Sequence, residues 1–217
     1  MELKNKKINF LGDSITQGAV ASDISKCFVN LVAEKTGAVC RNYGIGGTRI
    51  AKQTVPSEIA RRDLDFCLRA DDMDDDADIV VVFGGTNDFG HGDAPLGDFK
   101  DRENTTFYGA CHVLFRKLIE KYLGNQIVVI TPLHRVNEDN PCGKHKPSKV
   151  GTLKDYVKAI REVAEYYSLP VLDLFATSGL QPNIKAIKEN YMPDGLHPND
   201  AGHEIIANKI IRFLKAL

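Results

Sequence analysis

The sequence predicts an α/β protein built on a five-stranded parallel sheet with helices on both faces. Two observations lead there. The apolar runs are short, rich in β-branched residues and separated by segments of helical periodicity. Each run also ends in glycine or a turn residue, as strands do when they discharge into loops at one edge of a sheet. The 217 residues suffice to bury a full core without disulfides or metals, and no proline-rich or glycine/serine-rich linker and no repeat divides them. Residues 1–217 are therefore expected to form a single domain.

The first strand is read at 7–11, where Lys-Ile-Asn-Phe-Leu runs into Gly12-Asp13. Helical spacing follows over 25–36, and a second strand at 39–43 stops at Gly44. A less regular helical pattern covers 57–68. The third strand, 78–83, has the continuous apolar character of a buried parallel strand. Before it lie the acids of 71–78, for which a calcium loop is the functional alternative. Such a loop needs glycine at its sixth position and glutamate at its twelfth; counted from Asp71 these are Asp76 and Val82, so the run reads as a solvated loop. The remaining elements are a helix at 105–122, a strand at 126–131, a helix at 149–167, a strand at 170–174 and a helix at 199–216. Two long irregular stretches, 84–103 and 132–148, follow the third and fourth strands, at the edge where sheets of this kind bind ligands.

Composition excludes several classes of function. With 28 basic and 29 acidic side chains the net charge is -1, which offers no field for binding nucleic acid. The longest apolar runs, such as 127–130, fall far short of the roughly 20 residues that span a bilayer. The first apolar stretch, 8–11, is too short for a signal-peptide core, so a cytoplasmic location is expected. Cysteines at 27, 40, 67, 111 and 142 are odd in number and lack a C-x-x-C pair. Cys142 and His145 make a lone C-x-x-H without a second ligand pair, so reduced thiols are expected, with neither metal nor cofactor. His91, His112, His134 and His145 show no metal-ligand spacing, and His203 falls inside the last helix.

Four segments can carry chemistry. The first strand ends in Gly12-Asp13-Ser14-Ile15, which exposes a serine hydroxyl and a free backbone N–H at the sheet edge; the same residues also read as an ordinary turn or helix cap. Asp13 is expected to hold this loop by bonding to backbone amides. The second strand ends in Gly44-Ile45-Gly46-Gly47, which allows the close backbone approach an oxyanion-binding N–H needs and matches neither phosphate-loop pattern. After the third strand, Gly85-Thr86-Asn87-Asp88 places a neutral amide donor at the same edge, or a turn former. Near the C-terminus, Asp194-Gly195-Leu196-His197-Pro198 offers an acid–base pair, or else turn and capping residues with Pro198 at the first helical position. Together the four supply a nucleophile, oxyanion donors and an acid–base pair.

In these blocks, and in their order, the chain resembles the SGNH hydrolases, also called the GDSL esterase and lipase family; the one departure is Ile15 where the family often has Leu. The resemblance implies a three-layer α/β/α sandwich of flavodoxin-like kind. It also implies Ser14 as nucleophile, His197 as general base and then acid, and Asp194 as the residue orienting the imidazole. The Ser14 N–H, the Gly47 N–H and the Asn87 side chain would form the oxyanion hole. The two long stretches are polar and hold no amphipathic lid, and the near-zero net charge fits a neutral, polar substrate. A short-chain esterase is expected, acting on a small-molecule ester, an acetyl ester above all, of a polar or carbohydrate alcohol. Two alternatives stand beside it: a lysophospholipase or thioesterase with longer acyl preference, and a non-catalytic flavodoxin-like binding module.

Overall fold

The computed structural model describes residues 1–141, 143, 146 and 150–217. Cys142, Lys144, His145 and the start of the helix expected at 149 lie outside the described residues. Five strands, β1 (Lys7–Gly12), β2 (Val39–Gly44), β3 (Ile79–Phe83), β4 (Gln126–Ile130) and β5 (Val171–Leu172), form one sheet in the order β2-β1-β3-β4-β5. Every pairing is parallel. This is the doubly wound, flavodoxin-like order, in which the chain leaves β1 toward β2 on one side and returns to β3 on the other.

Strand alternation divides the core in two. Ile8, Phe10, Ile79, Val81, Phe83, Val128 and Ile130 face α2 (Phe28–Thr36) and α9 (Asp200–Ala216). Leu11, Val80, Val82, Ile127 and Val129 face α5 (Phe107–Lys121) and α6 (Leu153–Tyr166). Both faces are thus covered, as the unbroken apolar sequence of β3 requires. The five-stranded three-layer sandwich read from the sequence is the fold observed.

The differences lie in short elements. The first is α1 (Ser14–Gln17), one turn immediately after β1. The 57–68 stretch resolves into a 3-10 turn at Ala60–Asp63 and the single turn α3 (Phe66–Arg69). The stretch from 84 opens with α4 (Thr86–Gly90), all five residues of which are buried. After β5 come α7 (Leu174–Thr177) and α8 (Lys185–Tyr191). The last strand is shorter than 170–174, because the Asp173 side chain accepts the Ala176 N–H at 3.1 Å and starts a helix there. In α9 the cap is Asn199, whose side chain accepts the Gly202 N–H at 3.1 Å, so Pro198 precedes the cap instead of occupying the first helical position.

His203 shows how far the α2–α9 interface is sealed. Its ring is fully buried, stacked on Phe28 with centroids 5.9 Å apart, and its Nδ1 accepts the Phe28 N–H at 3.3 Å. Burial pushes its pKa from 6.5 down to about 4. A base depressed by folding stabilises the native state above its unfolded pKa, and that contribution is lost as pH falls toward the folded value. His203→Gln keeps an acceptor for Phe28 without the titration. Urea midpoints should therefore show wild type losing about 3 kcal/mol relative to the variant between pH 7 and pH 4; parallel pH profiles would refute this.

Candidate active site

The site lies at the carboxyl edge of the sheet, where β1, β2 and β3 end side by side. Gly12 pairs with Gly44 on one side and Phe83 on the other, so their loops emerge at one level. Arg69, almost fully buried, ties this edge together: it donates to the carbonyls of Gly12 (2.9 Å) and Tyr43 (2.6 Å) and to Thr48 Oγ1 (2.8 Å). Asp88 does the same from α4, accepting the N–H groups of Ile50 and Ala51 at 3.0 and 2.9 Å.

Ser14 opens α1, with Asp13 as its cap accepting the Ile15 N–H at 3.0 Å, the loop-holding role expected of it. Burial pushes the Asp13 carboxyl up to about 6, against the pull of that hydrogen bond and of His197 and Arg69. As a first-turn residue Ser14 has no intrahelical acceptor for its own N–H. Its Oγ lies 2.9 Å from His197 Nε2, and His197 Nδ1 lies 2.6 Å from Asp194 Oδ2.

Asp194 shapes the loop that carries it. Its Oδ1 accepts the backbone N–H groups of Leu196 (2.8 Å) and His197 (2.7 Å), curling residues three apart so that carboxylate and ring meet. Burial would raise its pKa, but the bonds from the His197 ring and these two amides outweigh that and hold the carboxyl at about 2. From outside, Val136 N–H donates to Gly195 O at 2.9 Å, and the neighbouring turn is closed by Glu138, which bonds His134 and the Arg135 N–H.

Gly47 and Asn87 join Ser14 and His197 in lining one cleft of about 410 Å³. Gly47 has φ +80°, which L side chains avoid, and among the described residues its N–H is not spent on another hydrogen bond. Asn87 Nδ2 donates to Thr48 O at 3.0 Å, which uses one of its two amide hydrogens. Its Oδ1 lies 3.2 Å from His91 Nε2, while His91 Nδ1 lies 3.0 Å from Arg49 Nη1. Arginine is always a donor, so His91 Nδ1 must accept and its Nε2–H must donate; the chain from Arg49 thereby fixes which end of the Asn87 amide is oxygen.

All five residues singled out from the sequence thus meet here. His91, Arg61, Arg62 and Arg135, which also line the cleft, were not singled out. For His91 a signal existed, since it lies four residues after Asn87 across a short helix. The arginines reach the site through tertiary folding alone. Among the described residues no cluster of ligands suits a metal ion, and no helix is long and apolar enough to cross a membrane.

The comparisons with known proteins bear on the family and the fold. The model of the GDSL-like lipase/acylhydrolase family matches residues 10–205. A solved structure from Lactobacillus plantarum is 30% identical with a TM-score of 0.84, covering 98% of each chain. A lipase/acylhydrolase from Enterococcus faecalis is 26% identical with a TM-score of 0.66, over 97% of this chain and 96% of that one. A two-domain esterase active on acetylated mannans shares the fold, at 23% identity and a TM-score of 0.65, over 97% of this chain and 48% of its own. No curated protein sequence matches the chain.

Proposed function

The chain belongs to the GDSL-like lipase/acylhydrolase family, and from that premise we propose that it is a serine esterase that hydrolyses short-chain esters, acetyl esters above all, of small polar or carbohydrate alcohols. The observation that carries the reading is the unbroken line from Ser14 Oγ through His197 to Asp194, at 2.9 and 2.6 Å. A serine hydroxyl becomes a competent nucleophile when a base within hydrogen-bond reach takes its proton.

In this reading His197 Nε2 accepts the Ser14 proton as Oγ attacks the ester carbonyl, and ionised Asp194 stabilises the imidazolium that results. The oxyanion is received by the Ser14 and Gly47 N–H groups and the free Asn87 amide hydrogen, three neutral donors fixed before reaction begins. His197 returns the proton to the leaving alkoxide, and the acyl group stays on Ser14. Water then repeats the sequence and releases the acid. No metal or cofactor enters any step, and residues 1–217 act as one domain.

The preference for a short acyl group rests on the cleft wall, where among the described residues Ala19 and Leu196 supply the only apolar side chains and the rest is polar or glycine. A long alkyl chain would leave its surface in water or strip water from these polar groups, and either loses binding free energy. The four described cysteines are free, in keeping with a reducing cytoplasm. The test is a series of p-nitrophenyl esters. Acetate should give the highest kcat/KM, and a fluorophosphonate probe should label Ser14; preference for decanoate, or no labelling of folded protein, would overturn the reading.

A further inference from the structure

Among the described residues three arginines line the cleft, Arg61, Arg62 and Arg135, and no Asp or Glu lines it with them. In a chain of net charge -1 this is a strong local departure. Among the described residues none of the three is in an ion pair, whereas buried Arg49 nearby is matched to Asp63 at 3.0 Å.

Their placement is built into the backbone. Arg62 lies against Gly47: a Cβ there would sit 2.8 Å from its Cγ and Nε. Arg135 lies against Gly90, where a Cβ would sit 2.7 Å from its Nη1. Two glycines thus make room for arginines in the cleft that Ser14 lines. Arg135 spends Nη1 on the Thr86 carbonyl and hydroxyl, at 3.0 and 3.1 Å, which fixes the plane of its fork. Asp13, Asp194 and Glu138 act on Arg135 from behind the lining; clustered cations still concentrate anionic solutes, and guanidinium forks match planar or tetrahedral oxyanions.

We propose that this cleft selects esters carrying a second, anionic group near the scissile bond, a carboxylate or phosphate held by Arg61, Arg62 and Arg135. The proposal rests on the esterase reading above and narrows its alcohol from any polar one to an acidic one, such as an acetylated sugar acid or sugar phosphate. It departs from the neutral substrate expected from net charge, which averages over a surface while the ligand meets only the cleft.

The experiment compares matched acetyl esters: meta-acetoxybenzoate, meta-acetoxyphenyl phosphate and the neutral meta-acetoxybenzamide, each kcat/KM corrected for the ester's rate of alkaline hydrolysis. Wild type should prefer at least one anionic ester about tenfold or more at low salt, as expected of charge-assisted hydrogen bonds; which anion wins identifies the source. The preference should shrink as salt is raised. It should fall to about threefold or less in Arg61→Gln/Arg62→Gln and, independently, in Arg135→Gln. Arg116→Met, on the exposed face of α5, should keep it. Equal use of all three esters, or a preference surviving both cleft variants, overturns the anion site and leaves the esterase reading intact. Failure to hydrolyse any of them with folded protein overturns the esterase reading itself.

Discussion

Ser14→Ala abolishes ester hydrolysis, with an expected fall in kcat on the order of 10⁵–10⁶. The size follows from the loss of the covalent step, which leaves His197 to act on water at a site shaped to receive an acyl group on Oγ. The fold should not suffer. Ser14 opens α1, but the capping carboxylate belongs to Asp13, and the serine hydroxyl makes one hydrogen bond, to His197. Melting temperature should stay within a few degrees of wild type while acetyl-ester turnover vanishes into background. A variant that keeps a tenth of wild-type kcat would remove Ser14 from the mechanism.

Asp194→Asn should lower kcat on the order of 10⁴ with little change in KM. The carboxylate does two separable things. Oδ1 holds the loop through the Leu196 and His197 N–H groups, and an asparagine oxygen can take over both bonds. Oδ2 faces His197 Nδ1 at 2.6 Å, and there the substitution places an amide that favours the ring tautomer with its proton on the side of Ser14. The base is then occupied before the reaction starts. The pH behaviour separates this from a general loss of structure. A carboxyl held at about 2 stabilises the fold fully above its ordinary value of 3.8, and that contribution is lost only as pH falls toward 2. Asp194 is therefore ionised at every pH from about 5 upward. Activity changes in that range must come from other groups, and denaturant midpoints of variant and wild type should run parallel there. An Asp194→Asn enzyme with more than a tenth of wild-type kcat would refute the assignment.

The strands were legible because parallel strands buried on both faces need continuous β-branched sequence, and Ile79–Phe83 has little else it could be. The one-turn helices were not, since five residues such as Thr86–Gly90, buried on every side, leave no amphipathic period to detect. The last strand is shorter than its sequence suggests because Asp173 looks like a strand end and acts as a helix cap. Ser14, Asp194 and His197 are legible as candidates because each lies in a short block, a serine after a strand and an acid three residues from a histidine, and the blocks together resemble a known family. Arg61 and Arg62 come from a stretch with poor periodicity, and Arg135 from a long loop. Nothing within a few residues of any of them says that it will face the cleft. His91 lacks metal-ligand spacing, and its partner is an amide, that of Asn87.

The hydrogen bond between Ser14 and His197 closes a span of 183 positions. The proposed reaction centre thus joins residues near the two ends of this sequence, and it cannot assemble in a fragment that lacks either. Proteolysis that removes α9 with its leading loop, or β1 with its trailing turn, yields a fragment without esterase activity. Turnover is accordingly a readout of completed long-range folding: during refolding, ester hydrolysis should appear only with the slowest phase that buries the core, never with early helix formation.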